Sequence, residues 1–314
     1  MRCFVAGGAG FIGSNLVPRL LEQDWSITVY DNLSGGRQEF LTPFFKHKRF
    51  KFIQANLLNR GLLDKYIKGH DVIFHLVASS DISLGIKKTD LDLKNSFLTT
   101  FNILDSMRKN KIKKLVFTSS GSIYGEYKKV PFKEGIGPIL PLSLYAASKV
   151  ASEAYVSAFC SVYGIRAWIF RLANIDGPNA THGVVFDFIK KLKGNPRKLQ
   201  ILGDGNQKKP YLFVGECIDG MLYAFTRAND KLNYFNLSPN DTVDVKGIAK
   251  IIIKEMRLNN VRFTFTNTEG GWPGDQKEIW LNTSKINALG WKAKLSSGKA
   301  VRLAALKLLN KEEL

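Results

Sequence analysis

Tyr145 and Lys149, four residues apart in the run Tyr145-Ala146-Ala147-Ser148-Lys149, are the pair in this sequence best suited to moving a proton. Residues i and i+4 share one face of a helix. A phenol ordinarily titrates near about 10, but a neighbouring ammonium favours its ionised form. Such a pair makes a proton acceptor usable near neutral pH. A group of hydroxyls lies upstream, in Thr118-Ser119-Ser120-Gly121-Ser122-Ile123-Tyr124-Gly125. At the carboxyl end of a strand these could relay the proton; taken alone they are also an ordinary polar strand-to-loop passage. A third feature binds rather than reacts. The run Gly7-Gly8-Ala9-Gly10-Phe11-Ile12-Gly13 lets the backbone turn tightly. It also lets a pyrophosphate approach a helix N-terminus, whose free N–H groups and dipole favour negative charge. Asp31 follows 24 positions after Gly7. An acid there accepts hydrogen bonds from a ribose 2′-hydroxyl and repels a 2′-phosphate, which favours NAD over NADP. Arg37, further along the loop, keeps NADP open.

These residues need elements to hold them. Short apolar runs at 2–6, 27–30, 51–54, 72–76, 114–119 and 166–171 read as strands. Several lack alternation, as strands buried on both faces do. Helical patterns fall near 11–22, 61–67, 90–109 and 144–163. Strand–helix repetition predicts an α/β fold with a doubly wound parallel sheet and right-handed crossovers. After residue 171 the pattern changes. A loop is expected at 174–183, a helix at 184–193, a turn at 203–206 and a strand at 211–214. A helix at 216–226, a strand at 234–237 and helices near 243–257 and 300–311 follow. We therefore expect a dinucleotide-binding domain over 1–173. A smaller C-terminal substrate-binding lobe over 174–314 would partly return to the first sheet.

Composition removes several classes. The chain has 314 residues, 45% hydrophobic and 23% charged, within the globular range. No apolar run is long enough to span a membrane, and the early glycines do not suit a signal peptide. The net charge of +19 is scattered. It reads as solvated lysine-rich surface, with help in collecting an anionic small molecule as a second reading. A basic tail or aromatic–basic repeat is missing, so no nucleic acid partner is expected. Cys3, Cys160 and Cys217 form no C-x-x-C pair, which fits a reducing, cytoplasmic setting. The four histidines carry no metal-binding spacing, so no metal is expected. Signatures of α/β-hydrolases and P-loop NTPases are also lacking.

Gly7, Gly10 and Gly13, Asp31-Asn32-Leu33, Ser120 and Tyr145-x-x-x-Lys149 together resemble the extended short-chain dehydrogenase/reductase family. The likeness is closest to its NAD-dependent sugar-nucleotide epimerases of the UDP-galactose 4-epimerase type. It continues through Arg171-Leu172-Ala173-Asn174 with Gly177-Pro178, and through Gly203-Asp204-Gly205-x-Gln207. Gly271-Trp272-Pro273-Gly274-Asp275 and Leu289-Gly290-Trp291 extend it to the end. The resemblance implies a Rossmann-like fold, NAD as cofactor, and epimerisation of a UDP-hexose at carbon 4 through a 4-keto sugar. It makes Tyr145 the catalytic base, Lys149 its activator and a nicotinamide-ribose ligand, and Ser120 the hydroxyl partner at the sugar. The cofactor would meet Gly7, Gly10, Phe11, Ile12, Gly13, Asp31, Asn32, Asn56, Leu57, Asn95 and Leu172, and the backbone of Val77, Ala78 and Ser79. Substrate contacts would be Ser120, Ser122, Tyr145, Val184 and Gln207, with Asn174 at the diphosphate, Lys209 and Tyr211 at the nucleotide, and Asp275 closing the site. A homodimer through the helices near 90–109 and 144–163 is implied, although their apolar positions suit a monomer core equally.

Some positions depart from the family pattern. Asn56 stands where an aspartate commonly meets the adenine amine, and its amide oxygen can still accept that bond. Lys209-Pro210 replaces Arg-Asp, and Gly270, Gly271 and Trp272 leave no arginine at the usual diphosphate clamp. Asp176 replaces a usual tyrosine, and Ser83 a frequent arginine. Gly121-Ser122 replaces the Asp-Glu pair with which a dTDP-glucose 4,6-dehydratase eliminates water. A nucleotide-sugar dehydratase, reductase or decarboxylase on this scaffold remains the alternative. A catalytically silent NAD-binding partner protein would predict a broken Tyr/Lys pair. His75 reads as packed or cofactor-adjacent, Cys160 as core, and His182 as packing or a substrate contact.

Overall fold

Apolar strands of four to seven residues, buried on both faces, build the sheet that carries the glycine turn. The computed structural model describes residues 1–79, 82, 84–126, 131–266, 268 and 271–310; Ser83 and Gly270 lie outside the described residues. In chain order come β1 (Arg2–Ala6), α1 (Phe11–Leu21), β2 (Ser26–Asp31), β3 (Phe50–Gln54), α2 (Arg60–Ile67) and β4 (Val72–His75). Then α3 (Leu84–Lys87) and a π-helical stretch, Leu93–Leu98, lead into α4 (Thr99–Lys109), β5 (Lys114–Ser120), α5 (Leu144–Tyr163) and β6 (Arg166–Leu172). Next are β7 (Asn174–Asp176), α6 (Val184–Gly194), β8 (Lys198–Ile201), β9 (Lys208–Lys209), β10 (Tyr211–Phe213) and α7 (Val214–Arg227). The chain ends with β11 (Leu232–Leu237), β12 (Val243–Asp244), α8 (Val245–Glu255), β13 (Arg262–Phe265), α9 (Ser284–Ala288) and α10 (Ser297–Asn310).

The chain forms two compact units. The first comprises Met1–Ser120, Leu144–Arg171 and Ala224–Phe235; the second comprises Gly121–Ser143, Leu172–Tyr223 and the chain from Asn236 on. The boundary expected after residue 173 lies beside one of several passages between units. In the first unit, a seven-stranded sheet has the order β11-β6-β5-β4-β1-β2-β3. Strands β3, β2, β1, β4 and β5 pair in parallel. This is the Rossmann-like order, reversing between β1 and β4, and ligands bind outside the carboxyl ends of strands at such a reversal. Phe4, Ile73, Leu115 and Phe117 from the sheet are fully buried against Ile103, Leu104 and Met107 of α4 and Val156 and Cys160 of α5. Cys160 is thus core.

In the second unit, Ile189 and Leu192 of α6, Ile248 and Ile252 of α8 and Val301 and Ala304 of α10 pack on Leu199 and Ile201 of β8. Two parallel pairs, β7 with β10 and β8 with β13, support them. Three expectations need correction. Residues 174–183 are not all loop, because Asn174–Asp176 pairs with β10. The helix expected near 90–109 runs over 91–109 but is π-helical at Leu93–Leu98. Strands β8 and β13 were not foreseen: each alternates charged or polar residues with apolar ones over four residues and lacks the continuous apolar run that marks β4.

Asn236, fully buried, holds the second unit's loops together. Its Nδ2 donates to the carbonyls of Phe132 at 2.8 Å and Asn282 at 3.0 Å, and its Oδ1 accepts from the Tyr124 hydroxyl at 2.7 Å. Its backbone N–H donates to Glu134 Oε1 at 2.9 Å. Asn236→Leu removes three buried side-chain hydrogen bonds at once. Chemical denaturation should show a loss of about 3 kcal/mol; a loss under about 1 kcal/mol would mean that water replaces the amide.

Candidate active site

The glycine turn closes on itself so tightly that only hydrogen fits at two of its positions. Gly7 has φ +80°, and a side-chain carbon there would stand 3.0 Å from Val77 Cγ2. At Gly13 it would lie 2.5 Å from Gly8 Cα and nearer still to the Gly7 carbonyl oxygen. Helix α1 therefore starts hard against the end of β1. Gly10 is its N-cap, with no side-chain cap and no acid in the first turn. The positive end of the helix is left to an anion that approaches along glycine backbone. Phe11 and Ile12 are half-buried in that first turn.

Asp31, at the end of β2, ties this turn to the sheet. It is buried at 8% exposure. Its Oδ2 accepts from Ala9 N–H at 3.0 Å and its Oδ1 from Leu33 N–H at 2.8 Å. Burial raises its carboxyl above the usual range, and those two N–H groups oppose the rise. Each oxygen keeps a further lone pair for a ribose hydroxyl. Asn32 is exposed and caps its own turn by accepting from Ser34 N–H. Asn56 is exposed too, and its Oδ1 accepts from Leu58 N–H at 2.9 Å. Leu57 is buried, and its carbonyl accepts from Asn102 Nδ2 at 3.0 Å. Val77, Ala78 and Ser79 follow β4 and are half-buried, with Val77 against Gly7. Asn95 is half-buried within the π-helical stretch, a feature frequent at functional sites. An uncapped helix end behind a glycine-only turn, with an anchored acid at the neighbouring strand end, fits the pyrophosphate and ribose of a dinucleotide.

On the same unit, α5 presents Tyr145 and Lys149 one turn apart. Ser120, the last residue of β5, hydrogen-bonds the half-buried Tyr145 through its side chain. Burial pushes the phenol up to about 12, the Ser120 bond pulls it back, and the charge of Asp92 adds to the rise. Lys149 is 1% exposed. Its Nζ donates to the Thr118 carbonyl at 2.8 Å and the Val77 carbonyl at 3.4 Å, so it joins the ends of β5 and β4. Burial brings its ammonium down to about 7, against Glu153 and Asp92, which raise it. The Nζ lies 5.9 Å from the centre of the Tyr145 ring. In the protein alone, then, the phenol is raised rather than lowered. The pocket is too dry for the lysine to be a full counter-charge.

Three residues around this pair were not foreseen. Glu153 lies four positions beyond Lys149 and shares its helix face. Arg171 of β6 grips Glu153 in a fork, Nη2 to Oε2 at 2.8 Å and Nε to Oε1 and Oε2 at 3.2 Å. Asp92 is buried, and neither carboxylate oxygen has a hydrogen-bond partner. Helix spacing points to Glu153; nothing in the sequence singles out the other two. His75 is fully buried, with Nε2 2.8 Å from Thr100 Oγ1. Burial, with the nearby Lys149, holds it far below its usual value, so it stays neutral and packed.

The second unit gathers another set. Asn174 is half-buried on β7, opposite Tyr211, which is buried on β10. Burial, together with Asp176 and Asp275, raises the Tyr211 phenol. Lys209 pairs with the Asp275 carboxylate, and its Nζ lies 5.2 Å from the centre of a Trp272 ring. The Gly271 N–H donates to Asp275 Oδ2 at 3.0 Å. Lys209 is thus clipped to the 271–275 segment and not left as a lone point charge. Gln207 is buried, donating from Nε2 to the Leu202 carbonyl at 3.2 Å, while its Oε1 has no partner. Val184 opens α6 and Leu172 closes β6. Ser122 is half-buried in a 3₁₀ turn, Gly121–Tyr124, and His182 is exposed. At Gly121 a side-chain carbon would come within 3.2 Å of the Leu172 carbonyl oxygen and of Leu281. A side chain at that position would require those neighbours to give way by a few tenths of an ångström. Among the described residues, no group of three or more His, Cys, Asp or Glu could hold a metal ion. No helix among them is long and apolar enough to cross a membrane.

Comparison with known proteins gives the family and the fold. The model of the NAD dependent epimerase/dehydratase family matches residues 3–238. A UDP-glucose 4-epimerase of Mycolicibacterium smegmatis is 35% identical over 236 residues, 73% of either chain. A crystal structure of a UDP-galactose 4-epimerase superposes with a TM-score of 0.89 at 32% identity, covering 99% of both chains. The UDP-glucose 4-epimerase of Thermotoga maritima, solved with UDP-glucose, superposes with a TM-score of 0.86 at 26% identity, covering 99% of this chain and 100% of that one.

Proposed function

This chain belongs to the NAD-dependent epimerase/dehydratase family, and we propose that within it the protein interconverts a UDP-hexose at carbon 4, of the UDP-glucose/UDP-galactose type, through a transient 4-keto sugar. Its cofactor is NAD. The observation that carries the reading is the Ser120–Tyr145 hydroxyl contact, with Lys149 locked one helical turn along.

NAD would be held by the glycine turn, Asp31, Val77 to Ser79, Asn95 and Lys149. When bound, it supplies a hydride acceptor and positive charge beside the phenol. The chain's own part is proton handling and orientation. Ser120 and Tyr145 hold the hydroxyl of carbon 4 by hydrogen bonds. The Tyr145 oxygen takes its proton as the carbonyl forms and returns it as the carbonyl is reduced. Lys149, fixed by two carbonyls, orients the tyrosine and stabilises its ionised form. In the second unit, Asn174, Lys209, Tyr211, Gln207, Val184, Ser122 and Asp275 are the substrate contacts we assign, and Asp275 acts through its clip on Lys209. The same reading carries a homodimer, supported by exposed Leu93, Tyr155, Val162 and Tyr163 on the helical segments near 90–109 and 144–163, and a cytoplasmic location. Gly121-Ser122, where a dehydratase carries an acid pair, argues against the dehydratase outcome.

The test is a panel of UDP-hexoses followed by NMR, with mass spectrometry of ligands released from the purified protein. Conversion of UDP-glucose to UDP-galactose, with NAD recovered unchanged, is expected. A 4-keto-6-deoxy or decarboxylated product, or no change at carbon 4 while NAD is bound, would reject the assignment.

A further inference from the structure

Asp176 is the departure from the family pattern that the structure makes most chemically distinct. It ends β7, and residues i and i+2 of a strand face the same side. Asp176 therefore shares a face with Asn174. Across the parallel pair, Tyr211 stands opposite Asn174 and Phe213 opposite Asp176. Its carboxyl is buried at 5% exposure, and Oδ2 has no hydrogen-bond partner. An orphan carboxylate oxygen in so dry a place is costly unless the group is neutral or a ligand meets it.

Among the described residues, no cation is one of the groups that act on it. The titratable group from β10 is Tyr211, whose phenol feels the charges of both Asp176 and Asp275. The last residue of β10, apolar Phe213, stands opposite Asp176, and Val214, the first of α7, crowds the neighbouring Gly177. Helix α10 also packs on β7, but its Lys299, Arg302 and Lys307 are exposed. Burial alone pushes the Asp176 carboxyl up to about 7.

We propose that Asp176 is a further ligand of the nucleotide sugar, a neutral carboxylic acid that donates a hydrogen bond to the diphosphate beside Asn174. This rests on the preceding reading, in which the diphosphate of a UDP-sugar lies at Asn174. A carboxylate at that place repels a diphosphate; its acid form binds one. Nucleotide-sugar binding is therefore tied to proton uptake. In the free protein the same proton contributes stability. The folded value lies above the unfolded one, so that contribution is complete below the ordinary carboxylate range and lost as pH rises through about 7.

UDP-glucose is the probe, because its diphosphate is a diester and does not titrate near neutrality. Calorimetry in two buffers of different ionisation heat, between about pH 6 and about pH 8.5, reads affinity and protons together. For the wild type, Kd should be flat at the acid end and rise about tenfold per pH unit above about 7, with uptake approaching one proton per site. Asp176→Asn, a permanently neutral donor, should bind with a constant Kd and no uptake. A flat wild-type profile, or an Asp176→Asn profile that follows the wild type, overturns the proposal and leaves the UDP-hexose reading standing. Failure of UDP-glucose to bind at any pH removes both. Should Asp176→Asn not fold, wild-type proton uptake and the ¹³C shift of the Asp176 carboxyl on adding UDP-glucose decide alone.

Discussion

Tyr145→Phe lowers the rate of UDP-glucose interconversion by about 10³-fold, with the fold and the bound NAD left in place. Positioned acid–base groups contribute roughly 10²–10⁴-fold to rate, and phenylalanine keeps the ring while removing the oxygen that we assign to the proton transfer. The ring neighbours that survive, Ser120 and Lys149, cannot substitute for it. Lys149 Nζ is committed to the Thr118 and Val77 carbonyls. Ser120 ends β5 as an ordinary alcohol, too weak a base to take the proton alone. The wild-type phenol begins at about 12 in the free protein, so activity should gain on the alkaline side, as the ionised form is populated. Measured kcat, NAD content per chain and Tm together check this. A loss smaller than about tenfold at unchanged NAD content would show that another group takes the proton.

The second large effect falls on binding. Gly13→Ala adds one carbon that must sit 2.5 Å from Gly8 Cα. The obstacle is backbone, which cannot rotate aside as a side chain can. Either β1 and α1 separate or the turn opens, and both outcomes disperse the N–H groups that receive a pyrophosphate. Overpacking of this kind costs about 1–3 kcal/mol. We expect a lower Tm and protein that purifies without NAD. Gly135→Ala is the control, since an added carbon there meets nothing within 4 Å; it should change neither quantity. Normal NAD content in Gly13→Ala would mean that the turn is not where the cofactor binds.

Several features were readable because local chemistry and tertiary need coincide. The run Arg2–Ala6 is apolar without alternation because β1 is covered on both faces, and the following glycines leave a turn as the sole option. Helix α5 runs over Leu144–Tyr163, where its pattern places it, since its buried face repeats with helical period. The polar partners were harder. Asn236 looks like any strand asparagine until Phe132, Asn282 and Tyr124 arrive from distant sequence. Arg171 reads as the edge of a motif, yet it serves to neutralise Glu153 below Lys149. The phenol's response to its surroundings also lay out of reach. Spacing says that a cation is near, and only burial says how weakly that cation is charged. Long apolar elements announce themselves by period, whereas paired polar groups depend on contacts that sequence distance hides.

The anchoring of Ala9 by Asp31 has an evolutionary consequence. The carboxylate that we assign to the ribose of NAD also pins the glycine loop. A lineage drifting toward phosphorylated dinucleotides cannot simply discard the acid, because the loop would come adrift with it. Preference and architecture are welded at a single position, and a switch requires a replacement fastener first.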